Sequence, residues 1–152
     1  MLPEPTKAGY DVRVAAVLVI DPDPRQQRQL QATLRDAGYA PLVATSAAAG
    51  VERLREGGID LTVIHYIEGV QMDVFASGLE RLPDPPPFLL VSGAVDAPAM
   101  SARYGAAEFV AGPCAEEEFL AVVRRVLAAR TTPSEFEEVP TRPNERKPNE
   151  EP

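Results

Sequence analysis

At 152 residues and 45% hydrophobic composition, the chain suits one compact domain with a tail, large enough to bury a core without disulfide or metal staples. Its formal net charge of -8 opposes the cationic footprint that displaces counterions from a phosphate backbone, which argues against direct nucleic-acid binding. The single cysteine, Cys114, excludes an intramolecular disulfide; with Glu116, Glu117 and Glu118 beside it, it reads as an inert, buried or half-buried thiol in a reducing compartment.

Residues 1–12 include Glu4, Lys7 and Asp11 and no apolar stretch, so they read as an N-terminal extension and not as a signal peptide. The first apolar run, Val14 to Ile20, is too short to span a bilayer and predicts a strand. No membrane anchor and a cytoplasmic location are therefore expected. A helix follows, capped by Asp23 and opened by Pro24, with Leu30, Leu34 and Ala37 on one face. A short strand near Leu42 to Ala44 leads to Ser46, placed to cap a helix over Ala47 to Arg55 that turns Val51 and Leu54 inward. Gly57 and Gly58 end that helix.

The third strand is Leu61 to Tyr66, and its helix is expected after Asp73, with Val74, Phe75, Leu79 and Leu82 available for packing. Pro83, Pro85, Pro86 and Pro87 stop it, because residues before proline avoid the helical region. Phe88 to Ser92 predicts strand four, Asp96 a cap for a helix to about Tyr104, and Phe109 to Ala111 strand five. The last helix, Ala115 to Ala129, carries acids in its first turn and Arg124, Arg125 and Arg130 towards its end, matching the helix dipole at both termini. Phe119, Val122, Val123, Val126 and Leu127 form its apolar stripe. Residues 131–152 are rich in proline and charge, with only Phe136 and Val139 as large apolar side chains, and predict a disordered tail.

Five alternations of strand and helix predict an α/β doubly wound parallel sheet. In such a sheet function lies beyond the carboxyl ends of the strands, which directs attention to Asp21 to Asp23, His65 to Gly69, Ser92 to Ala94 and Gly112 to Cys114.

Four segments carry a family resemblance: VLVIDPDP at Val17 to Pro24, GIDLTVIHY at Gly58 to Tyr66, LLVSGA at Leu89 to Ala94, and YGAAEFVAGP at Tyr104 to Pro113. Together they resemble the receiver domain of two-component response regulators over residues 13–130. The resemblance implies a flavodoxin-like five-stranded sheet in the order 2-1-3-4-5. It also implies an aspartate at the end of strand three that accepts a phosphoryl group, acids after strand one that hold Mg²⁺, and a lysine after strand five that adds fixed charge.

Asp21 matches the first of those acids, but Pro22 stands at the second, His65 at the acceptor aspartate, and Gly112 at the lysine that precedes the proline matched by Pro113. Ser92 matches the hydroxyl residue that meets the phosphoryl group, and Phe109 the aromatic switch of strand five. The chain therefore reads as a degenerate pseudo-receiver with no metal site and no cofactor, because one carboxylate and one imidazole suit Mg²⁺ poorly. Local roles account for the survivors: Asp23 as a helix cap, Asp21 as a loop-capping acid, Ser92 bonded to nearby backbone, and Phe109 packed between strand and helix.

The expected function is a protein-interaction module that binds a protein partner or a second copy. The resemblance places contact on the face of helix four, strand five and helix five, with Tyr104, Phe109, Glu117 and Arg124 as its named residues. The alternative is a regulator that still senses a signal through His65, the only histidine, by phosphorylation, ligand or pH. No enzyme is expected, since the sequence has no glycine-rich phosphate loop, no nucleophile in a triad-like order and no zinc-ligand cluster.

Overall fold

The computed structural model describes residues 14–65, 69–112 and 115–131. The chain divides into two units, residues 1–113 and 114–152. In the first unit the elements run β1 (Ala16–Ile20), α1 (Pro24–Asp36), β2 (Ala40–Ala44), α2 (Ala47–Arg55), β3 (Leu61–His65), α3 (Gly69–Glu80), β4 (Phe88–Ser92), α4 (Ala97–Tyr104) and β5 (Glu108–Ala111). All four strand pairings are parallel and the order is β2-β1-β3-β4-β5, the doubly wound α/β sheet expected from the alternation of runs.

Parallel strands buried on both faces read as continuous apolar runs, and Val17 to Ile20, Val63, Ile64 and Leu89 to Leu90 are all fully buried. Leu18, Ile20, Ile64, Phe88 and Leu90 point to one face, where Val51 and Leu54 of α2, Met72 and Phe75 of α3, and Ala97 of α4 close a single core. Phe75 and Phe88 meet edge to face with ring centroids 5.0 Å apart.

The caps explain why the helices begin where they do. The Asp23 carboxylate accepts from Arg25 N–H at 3.0 Å ahead of Pro24, and Ser46 Oγ accepts from Ala49 N–H at 3.1 Å. Gly57 and Gly58 follow α2 with φ of 83° and 86°, a left-handed region that glycine enters without strain.

Several expectations need correction. The third helix begins at Gly69, not after Asp73, because Met72 and Phe75 are its buried pair; Asp73 is exposed on the second turn and Val74 is 41% exposed. Ala37 is the exposed C-cap of α1 and not part of its buried face, while Gln27 and Thr33 are buried there beside Leu34. Asp96 occupies the N-cap position of α4 but makes no side-chain capping bond, its backbone being turned to φ -90° and ψ 3°. Strand two is longer than expected, starting at Ala40.

The described part of the second unit is one helix, α5 (Glu116–Thr131), with Glu116, Glu117 and Glu118 in its first turn. Phe119, Val122, Val123 and Val126 are buried and Leu127 is half-buried, an apolar stripe at helical spacing. The expected extension over residues 1–12, the tail beyond Thr131, Tyr66 and Cys114 lie outside the described residues. Among the described residues no helix is long and apolar enough to cross a membrane.

Candidate functional site

Register aligns the carboxyl ends of the inner strands. Ile20 pairs with Ile64, His65 with Val91, and Ser92 with Ala111, so Asp21, His65, Ser92 and Gly112 follow one another along one edge of the sheet. This is the edge where doubly wound sheets bind their ligands.

Asp21 extends the β1 ladder, its N–H donating to Ala44 O at 3.0 Å. Its side chain is fully buried. Oδ1 accepts from Asp23 N–H at 2.9 Å, closing a turn over exposed Pro22, whose ring offers no oxygen to the crevice. Oδ2 has no hydrogen-bond donor, and His65 Nδ1 stands 3.3 Å from it at ion-pairing distance. Burial pushes the Asp21 carboxyl above the ordinary carboxylate value of 3.8, and the nearby Asp23 charge adds to that. The Asp23 amide and His65 pull the other way and offset it in part.

Beneath this pair lies Gln27, a residue the sequence reading passed over. Buried on α1, it donates through Nε2 to Asp21 O at 2.6 Å and points the same amide at Ala44 O, 3.4 Å away. The signal was present: Gln27 falls on the helical face of Leu30 and Leu34, where a polar residue needs a partner.

On the far side, Ser92 is buried and its Oγ accepts from Ala94 N–H at 3.0 Å, while its carbonyl accepts from Gly112 N–H at 2.9 Å. A Cβ on Gly93 would fall 2.4 Å from Gly112 O, so only glycine fits there. Gly112 is different. A Cβ on it would meet nothing nearer than Val91 Cγ1 at 3.6 Å, an ordinary contact, so the backbone does not require glycine at the position of the family lysine.

Phe109 is half-buried and packs on the core formed with α2, α3 and α4. Tyr104 packs there too; its hydroxyl donates to Asp73 of α3 and the Arg103 guanidinium lies 5.3 Å from its ring centre. The Asp73 carboxylate raises the Tyr104 pKa above its usual 10.0. Glu117 and Arg124 belong to the second unit, where both are exposed on α5.

The donor set does not fit Mg²⁺. That ion needs several oxygen ligands in octahedral array, whereas among the described residues this edge offers the Asp21 and Asp23 carboxylates, each with one oxygen committed to a backbone amide, a proline and an imidazole. Among the described residues no group of three or more His, Cys, Asp or Glu side chains is placed to hold a metal.

No family model matches the chain, and neither does any curated protein. Solved structures do. The signal receiver domain of an HD domain-containing protein from Pseudomonas fluorescens Pf-5 superposes with a TM-score of 0.74 at 19% identity, covering 85% of this chain and 98% of its own. The signal receiver domain of a signal transduction histidine kinase from Syntrophus aciditrophicus gives 0.70 at 21% identity over 78% and 94% of the two chains. A CheY-like response regulator receiver domain from Methanospirillum hungatei JF-1 gives 0.68 at 16% identity over 78% and 97%. At these identities the likeness establishes the receiver fold.

Proposed function

We propose that this chain is a phosphorylation-independent receiver-fold module that works in the cytoplasm by binding another protein, with no catalytic cycle of its own. The observation that carries the reading is the pairing of His65 with Asp21. At the strand end where a receiver presents its acceptor carboxylate stands an imidazole, and the matching acid after strand one, Asp21, is fully buried beside it. A phosphoryl group entering this crevice would meet the Asp21 charge with neither a metal ion between them nor a cation at position 112 to offset the repulsion.

What remains intact is the fold around the crevice. On α4 and β5, Met100, Tyr104 and Phe109 are half-buried against the core, and the likeness to receivers supports this side of the first unit as the partner surface. Receivers in general switch this region when phosphorylated. Here Ser92 Oγ accepts from Ala94 N–H in its own loop, and the proposal has the surface presented without a signal.

The test is to incubate the chain with an acyl phosphate and Mg²⁺, weigh it intact, and follow its thermal midpoint with and without the ion. An unchanged mass and an unchanged midpoint are expected, since a ligand that binds only the folded state raises its stability. A mass gain that survives His65→Ala would overturn the proposal, and a gain abolished by that substitution would assign sensing to the imidazole instead.

A further inference from the structure

On α3 two of the exposed positions are apolar, beside Asp73, Ser77 and Glu80. Val70 is 71% exposed and Val74 is 41% exposed, where a solvated helix face would carry polar side chains. Beside them runs a groove of 380 Å³ between α2 and α3, with Val51 and Gly78 in its floor. The helices approach closely there, since a Cβ on Gly78 would lie 2.6 Å from both Val51 γ-carbons.

The charges along this groove are ordered. Glu52 and Arg55 of α2 pair with each other at 2.8 Å. Asp73, one oxygen of which accepts from the Tyr104 hydroxyl, lines one end and Arg81 the other, with Ser77 midway between them. Eight residues of helical rise separate the two charges by about 12 Å. A surface of this kind complements itself when reversed.

We propose that the α2–α3 groove binds the same groove of a second copy of this chain, forming a two-fold dimer with the two α3 helices antiparallel. The two-fold axis passes by Ser77, whose small side chain permits close approach, and each Val74 enters the groove of the other copy. Asp73 of each copy then faces Arg81 of the other, twice over; a parallel arrangement would set like charges opposite one another and is disfavoured. This contact goes beyond the partner surface on α4 and β5, which it meets at the hydrogen bond from Tyr104 to Asp73.

Sedimentation equilibrium of the complete chain tests it, at about 0.15 M salt, where a Debye length of ~8 Å screens the overall negative charge but not contacts at the interface. A dimer is expected, and Val74→Glu should raise its Kd by about tenfold or more, as burying a charge in an interface core does. Arg81→Asp and Asp73→Arg should each weaken self-association, and mixing the two variants should restore a dimer, because only the mixed pair has opposite charges at both contacts. Circular dichroism melts of each variant separate a lost interface from a lost fold. A monomeric wild type, a Val74→Glu variant that dimerises like the wild type, or folded charge variants that fail to recover on mixing would each overturn the proposal.

Discussion

Asp21 has its two carboxylate oxygens in different surroundings. One carboxylate oxygen closes the turn to Asp23, and the other is buried without a donor beside His65. Burial raises its pKa above 3.8, so the folded chain holds this proton more tightly than the unfolded chain does. The associated stabilisation is therefore complete below pH 3.8 and is lost as pH rises through the elevated folded value. Asp21→Asn keeps an oxygen for the Asp23 amide and does not titrate. Its advantage over the wild type should open across that window and reach the order of 1 kcal/mol by neutral pH, the usual scale for relieving a buried, undonated acceptor. Urea midpoints of the two chains, compared below pH 3.8 and near neutrality, check this; equal midpoints at neutral pH would show that His65 compensates the charge fully. The position of Asp21 was legible in the sequence from the run that precedes it. Its burial was not, because that depends on Gln27 and His65, which approach it from other elements.

Among the elements, the local cap signals of Asp23 and Ser46 held, that of Asp96 did not, and features fixed by tertiary contact were not read. Asp23 and Ser46 cap their helices because the capping bond lies within three residues of the cap. At α3 the acid after which the helix was expected is taken up by Tyr104, and the helix starts a full turn earlier so that Met72 and Phe75 reach the core. The close passage of α2 and α3 is another tertiary fact without a sequence signature, since Gly78 alone says nothing of Val51. Gly78→Ala should gain at most about 1 kcal/mol in helix propensity. Against that, its methyl would drive into both Val51 γ-carbons, and overpacking of this kind costs roughly 1–3 kcal/mol. A net loss of stability is expected. Combined with Val51→Ala, the two substitutions should cost less than the sum of their separate effects, because the smaller side chain makes the room the methyl needs. Strict additivity in chemical denaturation would mean that the helices shift apart instead.

For the molecule as a whole, the parallel sheet was legible in the alternating runs, and its strand order in the resemblance to receivers. Alternating strand and helix runs imply right-handed crossovers, and these put successive strand ends at one edge of the sheet. On the proposed reading, the departures from receiver chemistry lie in a few side chains on a receiver fold, which makes them reversible in principle. Pro22 is exposed in a loop held by Asp21 and Asp23, His65 is a partly exposed strand end, and Gly112 has space for a side chain. The triple substitution Pro22→Asp, His65→Asp and Gly112→Lys should therefore fold and accept one phosphoryl group from an acyl phosphate in the presence of Mg²⁺. In that transfer a carboxylate oxygen at position 65 attacks phosphorus, the donor's P–O bond breaks, and its acyl carboxylate leaves. Removing the imidazole also frees Asp21 Oδ2 to act as an oxygen ligand beside the second new carboxylate. None of the three single variants should gain mass, since each lacks the acceptor, an acidic metal ligand or the fixed cation. A folded triple variant that remains unmodified would place the block elsewhere in the crevice, with the fully buried Asp21 carboxylate and its Gln27 anchor as the first constraint to examine.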